Sequence, residues 1–400
     1  MRGQAKAALY ALLIGVPVGL ASAVFLRALE WATAERLARP WLILLLPAAG
    51  AATAFVYARV GGASSRGSEL LVEQLHEPDG GVPRRMAPLV FLGTILTHLF
   101  GGSAGREGTA VQMGGSLASA AARALGLDRE GLRGALMAGV AAGFGSVFGT
   151  PLAGAAFALE VLSSRPVRWE ALLPCLLASL SADWTCRALG ARHTAYVIAP
   201  GGALSPALAA KAALAGAAFG LAALLFVSAS HALRRGFLRV KAPAGRAALG
   251  GLVVLALTAL LGTRDYLGLG VTSPDPAAVT IVSSFRAGGA GWLDWLWKGL
   301  FTAVTTASGF QGGEVTPLFY LGATLGSVLA RLLAAPVDLF AGLGLVAVFA
   351  GAANTPFACA LMGVELFGAA HVAPVALACF TAYLFSGRAG LYRRGAGDRA

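Results

Sequence analysis

Two glycine-rich stretches, each holding one glutamate, lie deep inside apolar sequence: Gly101-Gly102-Ser103-Ala104-Gly105-Arg106-Glu107-Gly108-Thr109 and Gly309-Phe310-Gln311-Gly312-Gly313-Glu314-Val315-Thr316-Pro317. Glycines allow a sharp unwound turn with bare backbone N–H groups. A proline near the first helical position is harmless, because its missing N–H would have no partner there. Each stretch therefore predicts a helix N-terminus, and such a terminus carries unpaired N–H groups and roughly half a positive charge. Two of them facing one another near mid-membrane favour an anion and repel a cation. Glu107 at that end can act as a tethered anion that holds the site until it is protonated or displaced, which is a chemistry of proton coupling. A second reading makes Glu107 or Glu314 a buried partner of Arg106 or a simple helix cap. Acids inside a membrane are costly and usually functional, and an ion pair set in glycine-rich breaks that occur twice would be an odd structural device.

The elements that must position these groups follow from composition. The chain has 400 residues, of which 57% are hydrophobic and 12% charged, with mean hydropathy +0.73. An ordinary soluble domain carries about a quarter charged residues, so lipid is the solvent for most of this chain. Disorder, collagen-like order and a disulfide scaffold are excluded. Cys175, Cys186, Cys359 and Cys379 lie in or beside apolar runs without metal-ligand spacing and read as packed thiols. The 54 glycines point to helices packed closely through small residues. The formal charge of +12 is scattered one or two residues at a time between apolar segments, which fits membrane orientation better than nucleic acid. The expected class is an all-α polytopic membrane protein.

A bilayer crossing takes roughly 20 apolar residues. The runs 7–29 and 40–60 supply the first two, and the first is too long for a signal-peptide core. Beyond residue 87 several apolar runs are too short to span, and the glycine-rich stretches interrupt them. Irregular backbone at that depth must be surrounded by protein or line a cavity, and broken helices mark substrate sites in transporters.

The two halves also resemble each other. Superposing Glu107 on Glu314 brings Gly102 onto Gly309, Gly105 onto Gly312, Thr109 onto Thr316 and Gly115 onto Gly322. Thr150-Pro151 and Thr355-Pro356 are each followed, ten residues after the threonine, by an acid, Glu160 and Glu365. The expected organisation is an internal duplication, 1–200 and 201–400, with inverted halves and no C-terminal regulatory domain. Lys/Arg placement (Arg2, Lys6, the stretch 234–246 and the tail from Arg388) puts both termini in the cytoplasm of a plasma-membrane protein.

With these motifs on the page, the sequence resembles the CLC family of chloride channels and anion/proton antiporters, over nearly its whole length. Gly105-Arg106-Glu107-Gly108 matches the family's GREG/GKEG signature, and Gly390-Leu391-Tyr392 matches its closing element. The runs 101–112 and 312–319 are more similar to the fluoride-exporting branch, CLC-F, than to the chloride branch, which usually has GREGP and GxFxP. The resemblance implies a bundle of tilted, broken helices and a homodimer with one pathway per subunit. It implies Glu107 as gating glutamate, with Arg106 and Gly108 beside it, backbone N–H groups of Val315 and Thr316 at the ion, and the Tyr392 hydroxyl near a central site. Ser68 aligns with the inner-gate residue, commonly Ser in chloride members and often Met in fluoride members. Val161 stands where chloride/proton antiporters usually carry a second, internal glutamate; the fluoride branch also usually lacks it. A coupling role for Glu314 stays open.

Fluoride/proton exchange is therefore the leading expectation, and a CLC-type chloride channel or chloride/proton antiporter the alternative. Fluoride is small, strongly hydrated and basic enough to share a proton with a neutral carboxylic acid. N–H groups at two helix ends and the hydroxyls of Ser68, Thr316 and Tyr392 could replace its water. An enzyme is not expected: no Gly-x-Ser-Gly, His-Glu-x-x-His or phosphate-binding Gly-Lys-Ser/Thr element occurs, and no cofactor or metal is called for. His98 reads as a packed histidine, and Trp292, Trp295 and Trp297 as an interfacial belt.

Overall fold

The computed structural model describes residues 2–161, 168–199, 204–387 and 390–391, and over these residues the apolar runs become helices. In chain order they are α1 (Arg2–Ala38), α2 (Leu46–Val56), α3 (Ser68–His76), α4 (Met86–Leu99), α5 (Glu107–Ala124), α6 (Arg129–Phe148), α7 (Pro151–Glu160) and α8 (Leu172–Ala188). After a connection come α9 (Pro206–Phe237), α10 (Pro243–Leu261), α11 (Asp294–Ala307), α12 (Val315–Leu332), α13 (Val337–Ala353), α14 (Pro356–Phe367) and α15 (Val372–Phe385). Proline stands in the first turn of α2, α7, α9, α10 and α14, where no N–H is missed. Left-handed residues stop α6 at Gly149, α10 at Gly262 and α13 at Asn354.

Packing repeats in the same order along the chain. α1 packs on α6 and α8, as α9 packs on α13 and α15. α5 lies on α6 as α12 lies on α13, and α8 and α15 are each entered through a short 3-10 turn. α7 packs against α14, and α2 against α10. Glycine makes both central crossings possible: a Cβ on Gly114 would lie 2.1 Å from the Gly139 carbonyl oxygen, and one on Gly322 would lie 2.0 Å from that of Gly344.

Among the described residues, six segments are long and apolar enough to cross a bilayer, namely Ala11–Ala38, Pro40–His76, Arg129–Phe148, Pro206–Phe237, Pro243–Leu261 and Val315–Leu332. α4, α7, α13 and α14 are apolar but shorter, as the interrupted hydropathy led us to expect. α6 and α12 are central, with 83% of each span covered by protein, against 22% for α10. The first crossing runs past residue 29 to Ala38. The second is not one α-helix: a 3-10 turn over Pro40–Leu45 precedes α2, and a π turn over Tyr57–Gly61 follows it. Pro47 restarts the helix, and Gly62, at φ +50°, ends it. All four cysteines are buried free thiols.

Candidate anion site

The first glycine-rich break is held from several sides. Gly101, at φ +89°, lets the chain turn out of α4, and Gly102 N–H bonds back to the Thr97 carbonyl at 2.7 Å. Ser103 N–H donates to Thr305 Oγ1 at 3.2 Å, and its hydroxyl lies 2.9 Å from that of Thr302. His98 is fully buried, with Nδ1 2.8 Å from the Thr94 carbonyl and Nε2 3.0 Å from that of Ala104. It therefore braces the loop, which accords with a packed histidine.

The two breaks meet at Gly105 and Gly313, which exchange both backbone hydrogen bonds as an isolated antiparallel bridge. The N–H of Gly105 donates to the Gly313 carbonyl at 2.5 Å, and the N–H of Gly313 to the Gly105 carbonyl at 2.8 Å. Only glycine fits: a Cβ on Gly313 would stand 2.8 Å from the nitrogen of Gly108. The bridge sets the start of α5 beside the start of α12.

Glu107 is the first residue of α5 and is 1% exposed. Its carboxylate crosses to the neighbouring helix. Oε2 accepts the Thr316 N–H at 3.0 Å, and the Thr316 hydroxyl approaches Oε2 at 2.6 Å and Oε1 at 2.8 Å. The N–H of Arg106 completes the set at 3.2 Å, and Arg106 Nε lies 3.4 Å from Oε1. A negative group thus rests on the positive end of α12, bonded to one of its unpaired N–H groups. Glu107 thus lies beside Arg106 and, at the same time, at the start of α12, where a negative group is favoured.

The other singled-out residues fall around this point. Val315 is the first residue of α12 and is buried, but the backbone donor used by Glu107 is that of Thr316. Gly108 faces Gly313 and lines a cavity of ≈ 20 Å³ together with Ser68, Val111, Phe157 and Val161. Ser68 is the first residue of α3, and its Oγ accepts from Gln112 Nε2 at 3.1 Å. Glu314 precedes α12 and bonds to Thr306 of α11, within the field of Arg234, rather than joining Glu107. Tyr392 lies outside the described residues. Glu160 and Glu365 bond to the first turns of α14 and α7 rather than to Glu107 or Thr316.

Two contributors escaped the sequence reading. Lys298, 0% exposed, donates to the carbonyls of Tyr266 (3.0 Å) and Gly268 (2.7 Å) and lies over the Tyr320 ring at 5.4 Å. Gly268 N–H in turn bonds the Gly102 carbonyl at 3.2 Å, so Lys298 stiffens the backing of the first break. Its signal was a single cation in the apolar run Trp295-Leu296-Trp297-Lys298-Gly299-Leu300-Phe301. Gln112, the second, gave none, since its partner Ser68 is remote in sequence.

Broken helices whose N-termini converge on a buried acid, within an apolar bundle, define a membrane protein of anion transport. Residues 49–387 match the voltage gated chloride channel family, and the chain belongs to that family, the CLC channels and transporters. It is 47% identical over 388 residues, 95% of this chain and 84% of the other, to the chloride/fluoride channel protein of Pseudomonas syringae pv. tomato. The fold superposes on the crystal structure of a CLC-type fluoride/proton antiporter with TM-score 0.91 and 35% identity, covering 97% of each chain. It is also similar in fold to a slow cyanobacterial Cl⁻/H⁺ antiporter, with TM-score 0.80, 18% identity and coverage of 95% and 94%.

Proposed function

We propose that this protein is a fluoride/proton antiporter that exports fluoride, with Glu107 as its gating and proton-coupling residue. The observation that carries this reading is the Glu107 carboxylate seated on the α12 N-terminus, bonded to both the N–H and the hydroxyl of Thr316. A proton on Glu107 removes the charge that the helix end attracts and frees those two donors. Fluoride takes them, and donors of this kind make strong bonds to a charged acceptor. The neutral acid is then also a hydrogen-bond partner for fluoride. Fluoride leaves to the outside, Glu107 gives up its proton to the cytoplasmic side, and the charged carboxylate returns to the helix end. The likeness to a fluoride/proton antiporter at 35% identity supports the choice of ion.

Arg106 and Gly108 shape this exchange, with Val315 and Thr316 giving the α12 end, Ser68 the inner gate and Tyr392 a further hydroxyl. Glu314, bonded to Thr306, is the acid of the other break and stays open to an ion-binding or coupling role. The two halves, 1–200 and 201–400, form inverted repeats, which accords with the repeated packing order. The protein works in the plasma membrane with both termini cytoplasmic, as a homodimer in lipid, and is not an enzyme. The exposed apolar side chains of α7, α8, α14 and α15, including Trp184, Phe357 and Leu384, suit a subunit contact.

A chloride channel or chloride/proton antiporter is the second reading, favoured by Ser68 at the inner-gate position. Efflux from liposomes loaded with fluoride or chloride separates the two. Faster fluoride efflux accompanied by opposite proton movement supports the proposal; equal fluoride and chloride fluxes support the alternative.

A further inference from the structure

The chain that leaves α8 runs from Ala191 to Ala199 without helix or strand, and it is pinned along its length. Ala191 N–H donates to the Cys186 carbonyl at 3.2 Å, and Ala199 N–H to Asp338 Oδ2 at 2.7 Å. Between them the Tyr196 ring packs with its centroid 5.5 Å from that of Phe285 and 6.4 Å from that of Phe367. Tyr196 stands within the field of Arg106 and Glu107, so this strap is close to the gating acid. With the basic stretch after α9 in the cytoplasm, as proposed above, α9 begins on the other side and the strap faces outward.

His193 is the anomaly of the strap. Its side chain is 10% exposed, and neither ring nitrogen has a hydrogen-bond partner. The ring lies against the end of α6, where a Cβ on Gly149 would stand 2.5 Å from its Cδ2. Nε2 is 3.5 Å from Asp183 Oδ1, too long for a good hydrogen bond of a neutral ring but within ion-pair reach of a charged one. Asp183 is held by Arg187 Nε at 2.8 and 3.0 Å, and Arg187 also donates to the Gly149 carbonyl at 3.2 Å. Glu365 of α14 stands within the field of both. The other cations nearby are engaged: Arg27 of α1 donates to the Leu189 carbonyl, and Arg106 faces Glu107. Two carboxylates therefore face the single guanidinium of Arg187, and a proton on His193 restores the balance. It also ends the cost of a buried polar group without a partner.

We infer that His193 and Asp183 form a second proton site, separate from Glu107, which pins the strap when the outside is acid. The neutral ring rests beside Asp183 unbonded. The charged ring pairs with Asp183, ties the strap to α8 and to the end of α6, and keeps Tyr196 seated between Phe285 and Phe367. Fluoride leaving on this side is slowed in acid and freed as the ring loses its proton. The outward placement and the choice of ion rest on the proposed function; the proton site does not.

Two measurements test this. Imidazole NMR of the protein in detergent, with His193→Gln assigning the signal, shows His193 titrating between pH 5 and 8, the range in which histidine changes charge. Asp183→Asn lowers the midpoint by about one unit or more, because an opposite charge favours the protonated ring. Fluoride efflux from liposomes at equal pH inside and out, corrected for leak through protein-free liposomes, then compares His193→Gln with the parent. The two match at pH 8, where the ring is neutral; at pH 6 the variant is about three- to ten-fold faster, as expected for the loss of one hydrogen bond. Equal rates at both pH values, or the same ratio at both, overturn the pinning of the strap. A ring that stays neutral down to pH 5, or a midpoint that ignores Asp183→Asn, overturns the proton site. Chloride efflux run in parallel keeps the two readings apart: preference for chloride contradicts the proposed ion, while the comparison of His193→Gln with the parent is then read from the chloride traces.

Discussion

Glu160 and Glu365 cap each other's helices. The Glu160 carboxylate, at the end of α7, accepts from Phe357 N (3.0 Å) and Ala358 N (2.7 Å) in the first turn of α14. Glu365 of α14 accepts from Leu152 N (2.9 Å) and Ala153 N (2.8 Å) in the first turn of α7. Each acid satisfies two N–H groups that a helix start leaves unpaired, at the end where negative charge is favoured. The recurrent Thr-Pro…Glu element is therefore a reciprocal clamp between the two halves of the chain.

Removing one arm of the clamp exposes that pair of donors. Glu160→Ala and Glu365→Ala each cost about 1–3 kcal/mol of stability, and because the arms share no donor the losses add. Thermal unfolding of the purified variants in detergent measures this. A double variant as stable as either single one would show that the arms act as one unit.

Thr316 supplies Glu107 with a hydroxyl and an N–H. Thr316→Val keeps the N–H, the shape and the β-branching but loses the hydroxyl, so fluoride turnover falls about ten-fold or more while protons still move against fluoride. Thr316→Ser retains most of the rate. Fluoride-electrode traces from liposomes report both, and a Thr316→Val rate equal to that of the parent contradicts the role given to the hydroxyl.

The inner-gate assignment of Ser68 is open to a size test. Ser68 lines a cavity of only ≈ 20 Å³, so Ser68→Met fills it and removes the hydroxyl together. The fluoride-to-chloride flux ratio must change; an unaltered ratio means that Ser68 does not line the pathway.

At the crossings of α5 with α6 and α12 with α13, a single methyl group is decisive. Gly114→Ala and Gly322→Ala would place carbon 2.1 and 2.0 Å from facing carbonyl oxygens, and each destabilises by about 3 kcal/mol or more. Gly134→Ala on α6 meets nothing within 4 Å and stabilises by about 0.5–1 kcal/mol through helix propensity. Melting curves of the three variants test the ranking.

What could be read from sequence here is what glycine spacing and periodicity encode. The two breaks, their helix starts at Glu107 and Val315 and the too-short helices all follow from local rules about glycine, proline and unpaired N–H groups. The Gly105–Gly313 bridge, the reach of Glu107 to Thr316 and the capping exchange of Glu160 with Glu365 join residues from opposite halves, so no local pattern specifies them. Lys298 shows the intermediate case: its isolation in an apolar run marks it as held, but only the fold shows that it holds the carbonyls of Tyr266 and Gly268. The broken second crossing was hidden because Pro40, Pro47 and Gly62 interrupt helix geometry without lowering hydropathy.

The most direct test of the central claim is proton movement in Glu107→Gln, followed with a pH electrode while fluoride leaves loaded liposomes. A glutamine keeps the size and a carbonyl for Thr316 but has no titrating proton. We predict that fluoride still crosses while the opposite proton movement disappears; proton movement that persists at the parent ratio would contradict the account.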